Sequence, residues 1–199
     1  MDEERQNKSD DGEYLWICDP IDGTIPYANA VATSVFSLAL YQNKEPILGV
    51  AYDPYMDRMC WTARGMPTSL NDTMVTVSPD RIERGSTIFF VSSYIETVDA
   101  TKFIAHWRNQ GVNVSAVESF VYLAMLVASG YIQAAVLPPA HPWDRAASKI
   151  LLENAGGMML DHTGTPADVF TDPPHFCVLS NAAAKNQILE SLTATMLQS

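Results

Sequence analysis

Asp19 and Asp22 stand three residues apart in Trp16-Ile17-Cys18-Asp19-Pro20-Ile21-Asp22-Gly23-Thr24. The apolar run from Tyr14 to Cys18 reads as a buried strand that ends abruptly at Asp19. Two carboxylates at a strand end cannot both enter an apolar core unpaired, because buried charge is costly. They can converge on a cation. Pro20 fixes one backbone angle, and Gly23 permits a sharp bend or a close ligand approach. Gly23 and Thr24 then offer backbone N–H groups and a hydroxyl, which suit an anion such as phosphate. The plainer alternative is a strand followed by an Asx-type turn, for which Asp, Pro and Gly are ordinary residues. An EF-hand calcium loop does not fit, since Ile21 and Gly23 fall where it needs oxygen-bearing side chains.

The elements around this stretch fall into two textures. Up to about residue 85, strands follow one another: Ser34 to Tyr41, Ile47 to Tyr52, Met59 to Ala63 and Met74 to Ser78, the last alternating with a period of 2. Gln42 to Pro46 is a hairpin turn. Successive antiparallel strands indicate a large sheet. Beyond residue 85, strands and helices alternate. The strands are Thr87 to Val91, Val112 to Val117, Tyr131 to Leu137, Met158 to Leu160 and Phe176 to Leu179. The helices are Thr97 to Asn109, Ser119 to Ser129, Arg145 to Asn154 and one from Asn181 to about Leu197. Pro138, Pro139 and Pro142 stiffen the approach to Asp144. Asp144 sits at a helix N-terminus, where capping alone accounts for an aspartate. His106 lies in a helix, His162 and His175 in turns, and His141 near Asp144; they compose no rival site. No Gly-x-Ser-x-Gly or Cys/His pattern supports covalent catalysis.

The length of 199 residues suits one domain with a sizeable core, and 47% hydrophobic with 18% charged residues is ordinary globular composition. A net charge of -11 argues against nucleic acid or an anionic membrane as partner. It fits phosphate binding only if metal ions supply local positive charge, as clustered acids holding magnesium would. Cys18, Cys60 and Cys177 lie in apolar settings without CxxC spacing; each reads as a buried free thiol, which fits a reducing cytosol. The first residues are acidic and polar, unlike a signal peptide. The longest apolar helix, Phe120 to Ala128, is too short to span a bilayer.

Asp19-Pro20-Ile21-Asp22-Gly23-Thr24 resembles the first signature of the inositol monophosphatase family of magnesium-dependent, lithium-sensitive phosphomonoesterases. Trp143-Asp144-Arg145-Ala146-Ala147-Ser148, with Ala155-Gly156-Gly157 downstream, resembles the second. Glu3-Glu4 resembles the family's paired-glutamate motif. The three occur in the family's order over essentially the whole chain. The resemblance implies a layered α/β sugar-phosphatase fold: one domain over residues 1–199, with an antiparallel sheet region (1–85) and an α/β region with a mixed sheet (86–199). It implies Mg2+ held by Glu3, Asp19, Asp22 and Asp144, with the Ile21 carbonyl added. By the same resemblance Gly23 and Thr24 bind phosphate through backbone N–H groups, and Thr24 orients the attacking water. The implied catalytic set is Glu3, Asp22 and Thr24; the substrate-binding set is Gly23, Thr24 and Asp144.

The sequence departs from the family in its substrate wall. Glu118-Ser119-Phe120-Val121 replaces a Gly-Ser/Thr-Ala-Ala-like segment. Leu137 stands seven residues before Asp144, where a substrate-contacting acid is usual. Ser148 replaces the glycine that ends the second signature. The metal motif is preserved while the wall is changed, so the departures bear on the substrate more than on the chemistry. The expected function is hydrolysis of a small, polyol-like phosphomonoester in the cytoplasm, by a homodimer if the family pattern holds. Histidinol phosphate, fructose bisphosphate and a 3'-phosphonucleotide are alternative substrates; a non-catalytic metal- or phosphate-binding relative is an alternative of another class. Family members carry a helical segment ahead of the glutamate pair; it covers the sheet and supplies an aspartate that pairs with the signature threonine. The chain therefore reads as a shortened version: a fragment, a misplaced start, or a lineage that lost the segment. The expectation is a weak or inactive phosphatase that still binds magnesium, far more active when extended upstream of Met1. An uncovered sheet is expected to favour association with another chain.

Overall fold

The computed structural model describes residues 14–91, 99–171 and 176–195. Glu3, Glu4 and His175 lie outside them.

The first half is an antiparallel meander, β1 (Tyr14–Asp22), β2 (Val35–Gln42), β3 (Glu45–Asp53), β4 (Arg58–Ala63), β5 (Ser69–Leu70) and β6 (Thr73–Met74), paired in that order. The β2–β3 turn places both Asn43 and Lys44 at positive φ, as a type I′ hairpin requires, although the sequence lacks Asn-Gly there. The expected strand Met74 to Ser78 is not formed beyond Met74. Its alternation has another cause: Val75 N–H donates to Thr68 at 2.9 Å and Val77 N–H to Ala155 at 3.0 Å, so the segment is tied to different neighbours residue by residue.

The second half holds a five-stranded mixed sheet, built from β7 (Thr87–Phe90), β8 (Asn113–Ser115), β9 (Ala134–Leu137), β10 (Met158–Asp161) and β11 (Cys177–Ser180) in the order β10-β11-β9-β7-β8. β7 runs parallel to β8 and β9, and the other pairings are antiparallel. Both faces of the inner strands β9 and β11 are covered, which is why these two read as apolar runs, whereas the edge strand β8 buries only Val114. Ile88, Phe90, Val136 and Val178 face α2 (Ala100–Asn109) and α5 (Lys185–Thr195), where Phe103, Trp107, Ile188 and Leu192 complete one core. Ala135, Leu137, Cys177 and Leu179, one residue out of phase, face α3 (Phe120–Ala128). α3 and α4 (Pro142–Asn154) fill the layer between the two sheets.

The meander is covered on one face alone among the described residues. Ala39, Ala51 and Cys60 point inward against Val121, Met125, Ala147 and Leu151 of α3 and α4. Small residues here let α4 approach closely. A Cβ on Gly49 would lie 2.4 Å from Ile150 Cγ2 and 3.2 Å from the Ala147 carbonyl. Gly49→Ala is therefore expected to destabilise the fold by about 1–3 kcal/mol, the usual cost of overpacking; a denaturant midpoint at or above wild type would contradict this contact.

The outer face is apolar and open. Register stacks Trp16, Leu40 and Leu48 in one row, and Cys18, Leu38, Val50 and Trp61 in the next. Trp16 is 56% exposed and Tyr14 51%. β1 is thus half-buried rather than buried, and Cys18 is exposed, correcting two expectations. Cys60 and Cys177 are buried free thiols, each pushed up to about 12 by burial. No described helix is long and apolar enough to cross a membrane.

Candidate metal centre

Residues three apart on a regular strand face opposite sides of the sheet. Asp19 pairs with Ser37 and Asp22 with Val35, so three steps on β1 oppose two on β2. The extra residue is a β-bulge, and it turns both carboxylates to the inner face. Pro20 is compatible because β1 is an edge strand and a bulge tolerates a missing N–H. The strand therefore runs on to Asp22 instead of ending at Cys18. Both aspartates are buried, Asp19 at 3% exposure and Asp22 at 4%.

Asp144 arrives from α4. That helix starts at Pro142, not Arg145, so proline occupies a first-turn position where its missing N–H costs nothing. Asp144 is the third helical residue and not the cap; its Oδ2 accepts the His141 N–H at 2.8 Å. Ser148, in place of the signature glycine, donates its hydroxyl to the Asp144 carbonyl at 2.8 Å. Arg145 is fully buried and donates to the carbonyls of Asp168 and Thr171, which ties the loop before residue 172 to the first turn of α4. His141 stacks on Trp143 at 4.5 Å.

Each carboxylate is held by a backbone donor. Asp19 Oδ1 accepts the Ile21 N–H at 3.0 Å. Asp22 meets the N-terminus of α3: Oδ1 accepts the Phe120 N–H at 3.1 Å, Oδ2 the Val121 N–H at 2.9 Å, and Oδ2 also takes the Ser119 hydroxyl. Burial is the chief force pushing the Asp22 carboxyl up to about 7; Ser119 pulls it down, Asp19 raises it further, and the two N–H donors lower it. The α3 and α4 N-termini both favour negative charge beside them.

Asp19, Asp22 and Asp144 each offer an oxygen within 4.8 Å of the others. Like charges this close need a cation or shared protons. An all-oxygen donor set suits a hard divalent ion such as Mg2+. Asp22 and Asp144 line a pocket of about 160 Å3, joined by Gly23, Thr24, Glu118, Phe120 and Leu137; Asp19 is not part of that lining. Gly23 (φ +81) turns β1 into the short α1 (Thr24–Ala28) at the pocket rim. The changed wall thus borders the same pocket as the acids. Ser119 escaped the sequence reading as a partner of Asp22; the bond spans 97 residues, and its only local trace is a good cap residue before an apolar helix.

An inositol monophosphatase family model matches residues 1–197. The fructose-1,6-bisphosphatase/inositol-1-monophosphatase of Thermotoga maritima is 33% identical over 161 residues, covering 80% of this chain and 61% of that protein. The inositol-1-monophosphatase of Mesorhizobium japonicum is 29% identical over 168 residues, covering 82% and 63%. The chain thus spans little more than 60% of these relatives' lengths. A solved Thermotoga maritima IMPase superposes with a TM-score of 0.81 at 27% identity, covering 92% of this chain and 70% of that one. With the three aspartates of the two signatures converging and the fold shared, the chain belongs to the inositol monophosphatase family.

Proposed function

We propose that the protein hydrolyses a small, polyol-like phosphomonoester with Mg2+. The observation that carries this is the convergence of Asp19, Asp22 and Asp144, of which Asp22 and Asp144 line a pocket whose rim is Gly23-Thr24. A divalent cation held there supplies charge neutralisation for the phosphate, a more acidic water and stabilisation of the leaving alkoxide. Asp19, Asp22 and Asp144 are the proposed ligands, joined by Glu3 and the Ile21 carbonyl. Gly23 and Thr24 would orient the phosphate through backbone N–H groups, and the Thr24 hydroxyl would orient the attacking water. Glu3, Asp22 and Thr24 form the proposed catalytic set, and Asp144 also contacts substrate. The packing of α3 and α4 against both sheets supports one domain over residues 1–199. We further propose a homodimer, supported by the open apolar face of the meander; a solution mass of one chain by light scattering would count against it. Two buried thiols support a reducing, cytoplasmic setting.

The test is phosphate release from inositol monophosphate, fructose bisphosphate, histidinol phosphate and a 3'-phosphonucleotide, with and without Mg2+. Magnesium-dependent release from at least one supports the reading; none from any would point to a non-catalytic binding relative. Substrate choice should lie in the changed wall. Phe120 borders the pocket and also packs in the core at 6% exposure. Phe120→Ala is expected to reorder relative rates more than it alters the magnesium requirement, with a stability cost of about 3–5 kcal/mol. Unchanged relative rates would assign Phe120 to the core alone.

A further inference from the structure

We infer that Ser119 is a positioning residue that fixes how Asp22 meets a divalent cation; this rests on the metal-centre reading above. A carboxylate oxygen accepts in two lone-pair directions. Asp22 Oδ2 takes two donors, the Ser119 hydroxyl and the Val121 N–H, and is full. Oδ1 takes one, the Phe120 N–H, and keeps one direction uncommitted. Rotating the carboxylate would break all three bonds inside a buried site. Oδ1 is thus the atom that Asp22 presents to a cation, and the Ser119 proton is what saturates its neighbour.

Ser119 also caps α3, accepting the Tyr122 N–H at 3.4 Å. Capping needs only an acceptor, so it does not account for the proton given to Asp22. The pair also has no slack. A Cβ on Gly23, the residue after Asp22, would lie 2.9 Å from Ser119 Cβ and 3.2 Å from the Glu118 carbonyl. The end of β1 is therefore seated directly on the start of α3, and Asp22 takes its orientation from that contact.

The two roles separate by substitution. Glycine is nearly as good a cap residue as serine but has no hydroxyl to donate. Ser119→Gly is expected to weaken Mg2+ binding by about 10–100-fold, the usual effect of losing a group that orients a metal ligand. The metal-free protein should stay folded, its thermal midpoint lowered only modestly by the lost bond to the Asp22 carboxylate. The Mg2+ concentration for half-maximal turnover should rise by the same factor, with a much smaller fall in rate at saturating Mg2+. Titration calorimetry with Mg2+ and Mn2+ on the full chain reads the affinity directly, with Ser119→Ala as a second variant lacking the donor. Wild-type affinity in a folded Ser119→Gly or Ser119→Ala protein would overturn the proposal and leave Ser119 a cap. If Asp19→Asn abolishes binding in the same series, the metal-centre reading survives that failure. Absence of binding in the wild type would overturn both.

Discussion

Asp144→Asn is expected to cut magnesium-dependent turnover by at least about 100-fold, and Asp19→Asn to do the same, the scale of lost charge stabilisation at a reacting centre. The two residues reach the site from unrelated elements, one from the β1 bulge and one from the first turn of α4. A shared cation explains why both are acidic; reaching back to the His141 N–H at the start of α4 would explain only Asp144. Asparagine keeps an oxygen for the same N–H donor, Ile21 for one and His141 for the other. Relief of repulsion among three close carboxylates offsets what else is lost, so the fold should survive. Folded variants with unchanged turnover would sink the assignment.

Gly23→Ala is expected to be nearly as damaging, by a different route. Residue 23 sits at φ +81, a left-handed conformation that costs a side chain about 1–2 kcal/mol. The added methyl would also press on Ser119 and on the Glu118 carbonyl. Easing that contact moves Asp22, Thr24 and the start of α3 apart together. Misplacement of about 1 Å at a reacting centre costs on the order of 100-fold in rate. Thermal melts and phosphate release on the same sample check both parts. Turnover within about twofold of wild type would show that the turn and α3 are not mechanically joined.

Much of this was legible in the chain itself. The succession of strands, then of strands and helices, follows from local periodicity, and Phe103 and Trp107 are buried as their spacing requires. The pocket residues Gly23, Thr24, Glu118, Phe120 and Leu137 all follow from the motifs and the departures from them. What escaped depends on pairing rather than on local pattern. Asp-Pro-Ile-Asp-Gly reads as a turn, and only the register against Ser37 and Val35 exposes a bulge within a continuing strand. Pro142 reads as a breaker, although proline is well suited to a helix's first turn. The exposure of Cys18 reflects an outer sheet face with no described layer against it, which an alternating apolar strand does not announce.

The proposed chemistry requires that a bulged edge strand and a helix N-terminus bring three carboxylates onto a shared cation. Anomalous diffraction from crystals grown with Mn2+ tests it most directly. The expected result is a peak roughly 2.1 Å from a carboxylate oxygen of at least two of Asp19, Asp22 and Asp144, a hard-cation distance, weakened in crystals of Asp19→Asn. A well-ordered site with no peak among these three residues, or a peak held by other groups, would contradict it.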